Sequence, residues 1–278
     1  MLKTRIITAL VLLAVLLPVL YLNYFPAFAV IATAFFGAAV WESFRIFKNR
    51  QALVIAAVWT AAFAYTFFVG NGMAQLNFWF ALCVAIWLIR FVPSLATGLP
   101  PTEGLGNTLL SLVYPVTIVG CFVAIIALFK LHSPLYLLSV MALVWIADIG
   151  AYFSGKAFGK RKLAPSISPG KSWEGAIGGG IAVLVIAAIT IVAAPSLPVL
   201  QDTFAVQLQL RRGWLVALLV LLLVVAASIV GDLFESQLKR RAGIKDSSNL
   251  LPGHGGVLDR IDALIPVLPF AALVASWL

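Results

Sequence analysis

Charge is what this sequence has least of. Only 10% of its 278 residues are Asp, Glu, Lys or Arg, against about 25% in a soluble domain. Cysteine is scarce too. Cys83 and Cys121 both lie in apolar runs and form no CxxC or other metal spacing. They read as small core or lipid-facing residues and carry no message about redox compartment. No internal repeat stands out, so an inverted-repeat transporter has no support. What is abundant is apolar: 63% of the chain, with mean hydropathy +1.07. That composition belongs in a bilayer, where each spanning helix needs about 20 apolar residues. The net charge is +9, which in a soluble chain would raise nucleic acid as a partner. Here the charges fall in short loops, so topology and anionic lipid account for them and no nucleic acid is expected.

The predicted fold is all-α: a polytopic integral membrane protein of about nine helices with a cytosol-facing polar cleft. The spans fall near 6–22, 26–44, 52–70, 73–93, 107–129, 135–154, 174–194, 214–234 and 263–278. The last is short and carries Pro266 and Pro269, which predicts a kink or tilt. Spans 1 and 2, and spans 3 and 4, are close enough in sequence to form tight hairpins. A cytosolic N-terminus places sixteen of the nineteen Lys and Arg inside and leaves only Lys130, Arg211 and Arg212 outside. This bias fixes the orientation, with the C-terminus external, and fits a bacterial inner membrane. Lys3, Arg5 and the small-residue run Ala27, Phe28, Ala29 look like signal-peptide parts, but the apolar run is too long and more spans follow, so no cleavage is expected.

Residues 1–106 form an N-terminal helical region of about four spans, and 107–278 a catalytic region with cytosolic loops at 155–173 and 236–262. The Pro/Gly-rich stretch 94–106 separates them without being a true linker. Little chemistry shows in the first half. Glu42, near the end of span 2, is either functional, as an acidic residue in a span can be, or, the favoured reading, snorkels to the surface or pairs with Arg45 three residues on.

Chemistry begins at Asp148. A carboxylate within a span needs a polar cavity, a cation or a basic partner, and Tyr152 shares its helical face. Ser168, Lys171 and Ser172 precede span 7, where a helix N-terminus makes either an anion site or an ordinary cap. Gly175 and Gly179 have the spacing of close helix packing. Two near-matches to a phosphate-binding loop, at 150–157 and 165–172, lack one required residue each and the preceding strand.

Span 8 ends in a polar stripe, Asp232, Glu235, Ser236 and Lys239, at i, i+3, i+4 and i+7. It leads into a polar island at 236–262 holding Lys239, Arg240, Arg241, Lys245 and Arg260, with Asp246, Asp259 and Asp262, around a GHGG turn at 253–256. Seven of the ten acidic residues fall in these regions: Asp148, Glu174, Asp232, Glu235, Asp246, Asp259 and Asp262. Lysines, carboxylates and a glycine-rich backbone are the parts that hold polyphosphate and a divalent cation. His254 makes either a turn hydrogen bond or a phosphate contact.

These residues closely resemble the phosphatidate cytidylyltransferases, or CDP-diacylglycerol synthases. The family pattern near the C-terminus is matched by Ser236, Lys239, Arg240, Lys245, Asp246, His254, Gly255, Gly256, Asp259, Arg260 and Asp262. The Asp148 to Tyr152 and Ser168 to Gly175 blocks also match, with Ser172 where threonine is more usual. The resemblance covers about 148–262. It implies that CTP and phosphatidic acid give CDP-diacylglycerol and pyrophosphate for phospholipid synthesis, with magnesium as cofactor, a second cation left open, and a homodimer. By motif position, Asp232 and Asp259 are the implied cation ligands, with Asp246 and Asp262 as further ligands or as groups orienting the basic residues. Ser236, Lys239 and His254 complete the catalytic set. Lys171, Lys239, Arg240 and Arg260 would neutralise phosphates, with Asp148, Tyr152, Ser168, Ser172 and Lys245 around the substrates and the 253–256 backbone as an anion nest.

Three rivals use the same polar features. A CTP-dependent lipid-alcohol kinase, or a cytidylyltransferase for another lipid, needs a similar site. An ion or phosphate transporter would use the intramembrane carboxylates but leaves the C-terminal motif unexplained. A CDP-alcohol phosphotransferase is disfavoured because its aspartate pattern is absent.

Overall fold

Backbone N–H and C=O groups inside a bilayer have no water to bond, so apolar runs there must coil and satisfy themselves. The computed structural model describes residues 2–70 and 75–278, and in the first helix the side chains of residues 8, 10, 11 and 14 onward. The elements are α1 (Leu2–Tyr21), α2 (Phe25–Ile46), α3 (Ala52–Phe68), α4 (Leu76–Ile86), a π-helical turn (Trp87–Phe91) and α5 (Val92–Thr97). Then come α6 (Leu105–Leu131), α7 (Pro134–Phe158), β1 (Lys162–Ala164), β2 (Ser168–Ser172) and α8 (Trp173–Ala193). A short 3-10 turn (Pro198–Asp202) leads to α9 (Phe204–Ala242), α10 (Leu258–Ile261) and α11 (Leu264–Ala275).

Every predicted span is helical where described, but the number of crossings is not settled at nine. Among the described residues, six stretches are long and apolar enough to cross: Phe25–Ile46, Leu76–Thr97, Leu105–Leu131, Pro134–Phe158, Trp173–Ala193 and Phe204–Ala242. Ala52–Phe68 and Leu264–Ala275 are shorter. The twelve residues of α11 rise only about 18 Å, against about 30 Å of hydrocarbon. Its apolar side chains pack on protein. Ile265, Val267, Leu268 and Ala271 are wholly buried, and α11 packs against α4, α6, α7 and α9. It is a core helix enclosed by protein. The tight turn after α1 is present at residues 22–24. The one expected between spans 3 and 4 falls on 71–74, outside the described residues, as do the side chains of Lys3 and Arg5.

Two departures shape the site. The loop after α7 is a hairpin, with β1 antiparallel to β2 and Lys162 opposite Ser172. Glu174 clamps its base by accepting from the Lys160 and Arg161 amides and from Arg161 Nε at 3.3 Å. The long α9 is broken at Gly213, whose φ of 79° is non-helical; only glycine takes that conformation without strain. The part after the break begins where span 8 was expected and runs on to Ala242. The polar stripe is therefore helical throughout. Arg211 donates to the Leu278 carbonyl at 2.8 Å and Arg212 to that of Trp277, so the C-terminal end lies beside the start of α9.

Candidate active site

The stripe on α9 is held from behind by aromatic packing. Phe234 stacks on Phe91 at 4.3 Å between ring centroids and packs against Trp87 and Tyr114. Phe91, Tyr114 and Phe234 are fully buried. This places the last turns of α9, and with them Asp232, Glu235 and Lys239, at fixed depth and rotation.

In front of the stripe, α7, the hairpin, α8 and α9 enclose a cavity of about 490 Å³. Six predicted site residues line it: Asp148, Tyr152, Ser168, Lys171, Ser172 and Asp232. Its floor is built from small residues. A Cβ on Gly179 would stand 2.6 Å from the Ala147 carbonyl oxygen, and one on Gly175 2.8 Å from that of Ala151. The glycines thus let α8 lie directly on the α7 backbone, as their spacing suggested. Ser172 reaches the cavity, but its hydroxyl accepts from Gly175 N at 3.1 Å and caps α8. Lys171 pairs with Asp232 at 2.5 Å, and Ser236 donates to the other Asp232 oxygen at 3.3 Å.

None of the remaining predicted residues lines that cavity; Lys239 and Gly256 meet Asp259 instead. Gly243, left-handed at φ 76°, ends α9, and the chain folds back through 244–257 into α10. Asp259 Oδ1 accepts from Lys239 Nζ at 2.6 Å. Its Oδ2 accepts from Ser247 N and Ser247 Oγ, each at 2.9 Å, and from Gly256 N at 2.8 Å. Lys239 also forms an ion pair with Glu235, which is fully buried. Burial alone would raise the Asp259 carboxyl, but the bonds from Lys239, Gly256 and Ser247 bring it below its ordinary value. Asp262 moves the other way, raised by burial first and then by the Asp232 charge; its Oδ1 accepts from Ala263 N at 2.8 Å.

The GHGG turn does cradle an anion with its backbone, but that anion is the Asp259 carboxylate, held by Gly256 N. His254 N donates to the Leu251 carbonyl at 2.8 Å, while its Nδ1 is buried without a hydrogen-bond partner. Gly255 is left-handed at φ 83° and its carbonyl accepts from Leu251 N. Arg240, Lys245, Asp246 and Arg260 are exposed to solvent at the edge of this cluster.

Glu42 is a correction. It neither snorkels nor pairs with Arg45, whose guanidinium lies over the Trp41 ring at 5.3 Å. It is completely buried, accepts from Ser248 Oγ, Val257 N and Leu258 N, and has Ser247 Oγ at 3.3 Å. The last turn of α2 points it under the returning loop, whose buried donors need an acceptor. Sequence reasoning passed over Glu42 together with Ser247 and Ser248. An acidic residue inside an apolar span was the available signal, but nothing local joins it to a loop more than 200 positions away.

Magnesium prefers hard oxygen ligands and is often held by one or two carboxylates plus substrate phosphates. Asp232 and Asp259 offer such oxygens, and Glu235 Oε1 is buried with no hydrogen-bond partner. Among the described residues no group of three or more His, Cys, Asp or Glu forms a self-contained cage. A cation on Asp232 or Asp259 would have to displace bonds that Lys171, Ser236, Lys239, Ser247 and Gly256 now make to them, and complete its shell from phosphate and water.

Fold and site together define a polytopic helical integral membrane protein with a lysine–carboxylate site at the end of its longest helix. A model of the cytidylyltransferase family matches residues 3–278. The phosphatidate cytidylyltransferase of Pseudomonas aeruginosa is 42% identical over 289 residues, covering 100% of this chain and 99% of that protein. Proteins of the same name from Haemophilus influenzae and Bacillus subtilis are 38% and 32% identical, covering 97% and 96% of this chain and 97% and 95% of theirs. The chain belongs to the cytidylyltransferase family.

Proposed function

We propose that the protein transfers the cytidylyl group of CTP to phosphatidic acid, releasing pyrophosphate and forming CDP-diacylglycerol. The observation that carries this reading is the paired lysine–carboxylate cluster, Lys171 with Asp232 and Lys239 with Asp259, in a chain related end to end to phosphatidate cytidylyltransferases.

The attacking group is the phosphate of phosphatidic acid, already anionic, so no side chain has to deprotonate it. One of its oxygens bonds to the α-phosphorus of CTP. The bond from that phosphorus to the β-bridging oxygen breaks, and pyrophosphate leaves with the electron pair. The obstacle is bringing two polyanions into line and stabilising charge on the leaving group. Lys171 and Lys239 would offset that charge, with Arg240, Lys245 and Arg260. Asp148, Tyr152, Ser168 and Ser172 line the cavity beside Lys171; Asp246 and Asp262 would ligate the cation or orient the basic groups, and Ser236 and His254 would complete the catalytic set, His254 by a phosphate contact. Asp232 and Asp259 would hold a magnesium ion, whose charge polarises the phosphates.

In this reading the N-terminus and the site face the cytosol of a bacterial inner membrane, as the Lys and Arg distribution favours. Residues 1–106 support a catalytic region at 107–278, and the protein works as a homodimer. The test is product formation by purified protein in lipid–detergent micelles with CTP and phosphatidic acid, with and without magnesium, beside Asp259→Ala. We expect CDP-diacylglycerol and pyrophosphate in equal amounts only when all components are present. Chelation should abolish turnover and added magnesium restore it. A folded, lipid-supplied wild type that makes no liponucleotide would sink the proposal.

A further inference from the structure

We infer that Glu42 is a positioning residue for this reaction, a buried strut from the second helix that holds the Asp259 loop in register. The inference rests on the function proposed above.

Its carboxylate is fully buried and accepts from three donors, all on the returning loop. Leu258 N lies at 2.6 Å and Val257 N at 3.1 Å, with Ser248 Oγ the third, and Ser247 Oγ stands beside them at 3.3 Å. Both carboxylate oxygens are used. A buried charge keeps its place only when so satisfied. The alternative, that Glu42 merely finishes α2, would bond it to its own helix, and none of these three donors belongs to it.

The strut reaches Asp259 through Ser247. That hydroxyl stands within hydrogen-bond distance of both carboxylates, 2.9 Å from Asp259 and 3.3 Å from Glu42, with its one proton serving the nearer. Ser247 N and Gly256 N supply the other bonds to the same Asp259 oxygen. Glu42 thus grips the loop on both sides of the residues that hold Asp259. It also accounts for the last glycine of the GHGG turn. A Cβ on Gly256 would stand 2.4 Å from Glu42 Oε1 and 2.0 Å from Ser247 Oγ. There is no room for a side chain between strut and loop.

The experiment compares wild type, Glu42→Gln and Glu42→Asp by steady-state kinetics and by hydrogen exchange read by mass spectrometry. The amide introduced by Glu42→Gln keeps the shape but gives up one acceptor. We expect kcat to fall about 100-fold, the scale of a misplaced catalytic group, with KM for CTP changing less than about threefold. Exchange should rise at 247–258 and stay unchanged in α6 and α11. Glu42→Asp should recover part of both. A folded Glu42→Gln protein with wild-type kcat overturns the inference, as does exchange raised uniformly, which marks general destabilisation. If Glu42→Gln does not accumulate in folded form, Ser248→Ala decides, because it removes one donor of three. A fall in kcat of about three- to tenfold with local exchange at 247–258 supports the strut, and wild-type values in both overturn it. A wild type without CTP-dependent product defeats the proposed function instead. The exchange arm needs no substrate and still judges the strut.

Discussion

Lys239 is the residue on which the site's electrostatics turn. It sits between Asp259 and the buried Glu235, with only 12% of its own side chain exposed. Removing the cation leaves two carboxylates facing each other with little water, and breaking a buried pair this way costs about 3–5 kcal/mol. Lys239→Met should therefore lose both thermal stability and activity. Adding Glu235→Gln should return much of the stability, because it removes one stranded charge, but not the activity. A thermal-unfolding series on the single and double variants, read beside turnover, checks both halves. Full recovery of turnover in the double variant would show that Lys239 serves only to neutralise Glu235. Asp259→Asn should fold, since the amide oxygen still accepts from Gly256 or Ser247. Its turnover should fall by about 100-fold or more, the loss typical of a removed electrostatic group.

At the scale of elements, the α7–α8 contact sets the cavity's width. Gly179→Val would place methyl groups where the Ala147 carbonyl now stands, so the helices must separate or the cavity floor must rise. We expect a stability loss of about 1–3 kcal/mol and a raised KM, measured by thermal unfolding and initial rates; wild-type values in both would mean that the helices yield freely. The glycine spacing behind this contact was legible in the sequence, as were the helices and the α9 stripe, because each repeats with the helical period. The β1–β2 hairpin was not. Its residues are charged, proline-rich and short, with no two-residue alternation to betray a strand, and it depends on Glu174 bonding back to Lys160 and Arg161. Asp259 was legible as a site residue from its motif, whereas the bond network that engages both its oxygens was not. Those bonds come from Lys239, Ser247 and Gly256, brought together only when the loop closes. Hydropathy also could not show that α11 is surrounded by protein rather than by lipid.

For the whole molecule, the contacts of the C-terminal end with Arg211 and Arg212 give a topological prediction. The end of the chain and the start of α9 must share one side of the membrane, and the Lys and Arg distribution places the 236–262 island on the other. Cys83 and Cys121 are buried, so single cysteines can be introduced against a quiet background. Arg212→Cys should react with an impermeant maleimide added to intact cells, and Lys245→Cys only after the membrane is opened. The reverse pattern would invert the orientation, and equal labelling would refute the separation.

The link between Glu42 and the 247–258 loop also bears on how the molecule is made. The strut leaves the ribosome 205 to 216 residues before the groups it will hold. Through most of synthesis its carboxylate has no permanent partners and must stay hydrated at the membrane edge. The loop, in turn, cannot set until α2 and α9 have been inserted and brought together. The reaction centre is therefore completed only after residue 258 has been made. A chain stalled before residue 258 would carry nearly every helix and still lack the hold on Asp259 that makes those helices an enzyme.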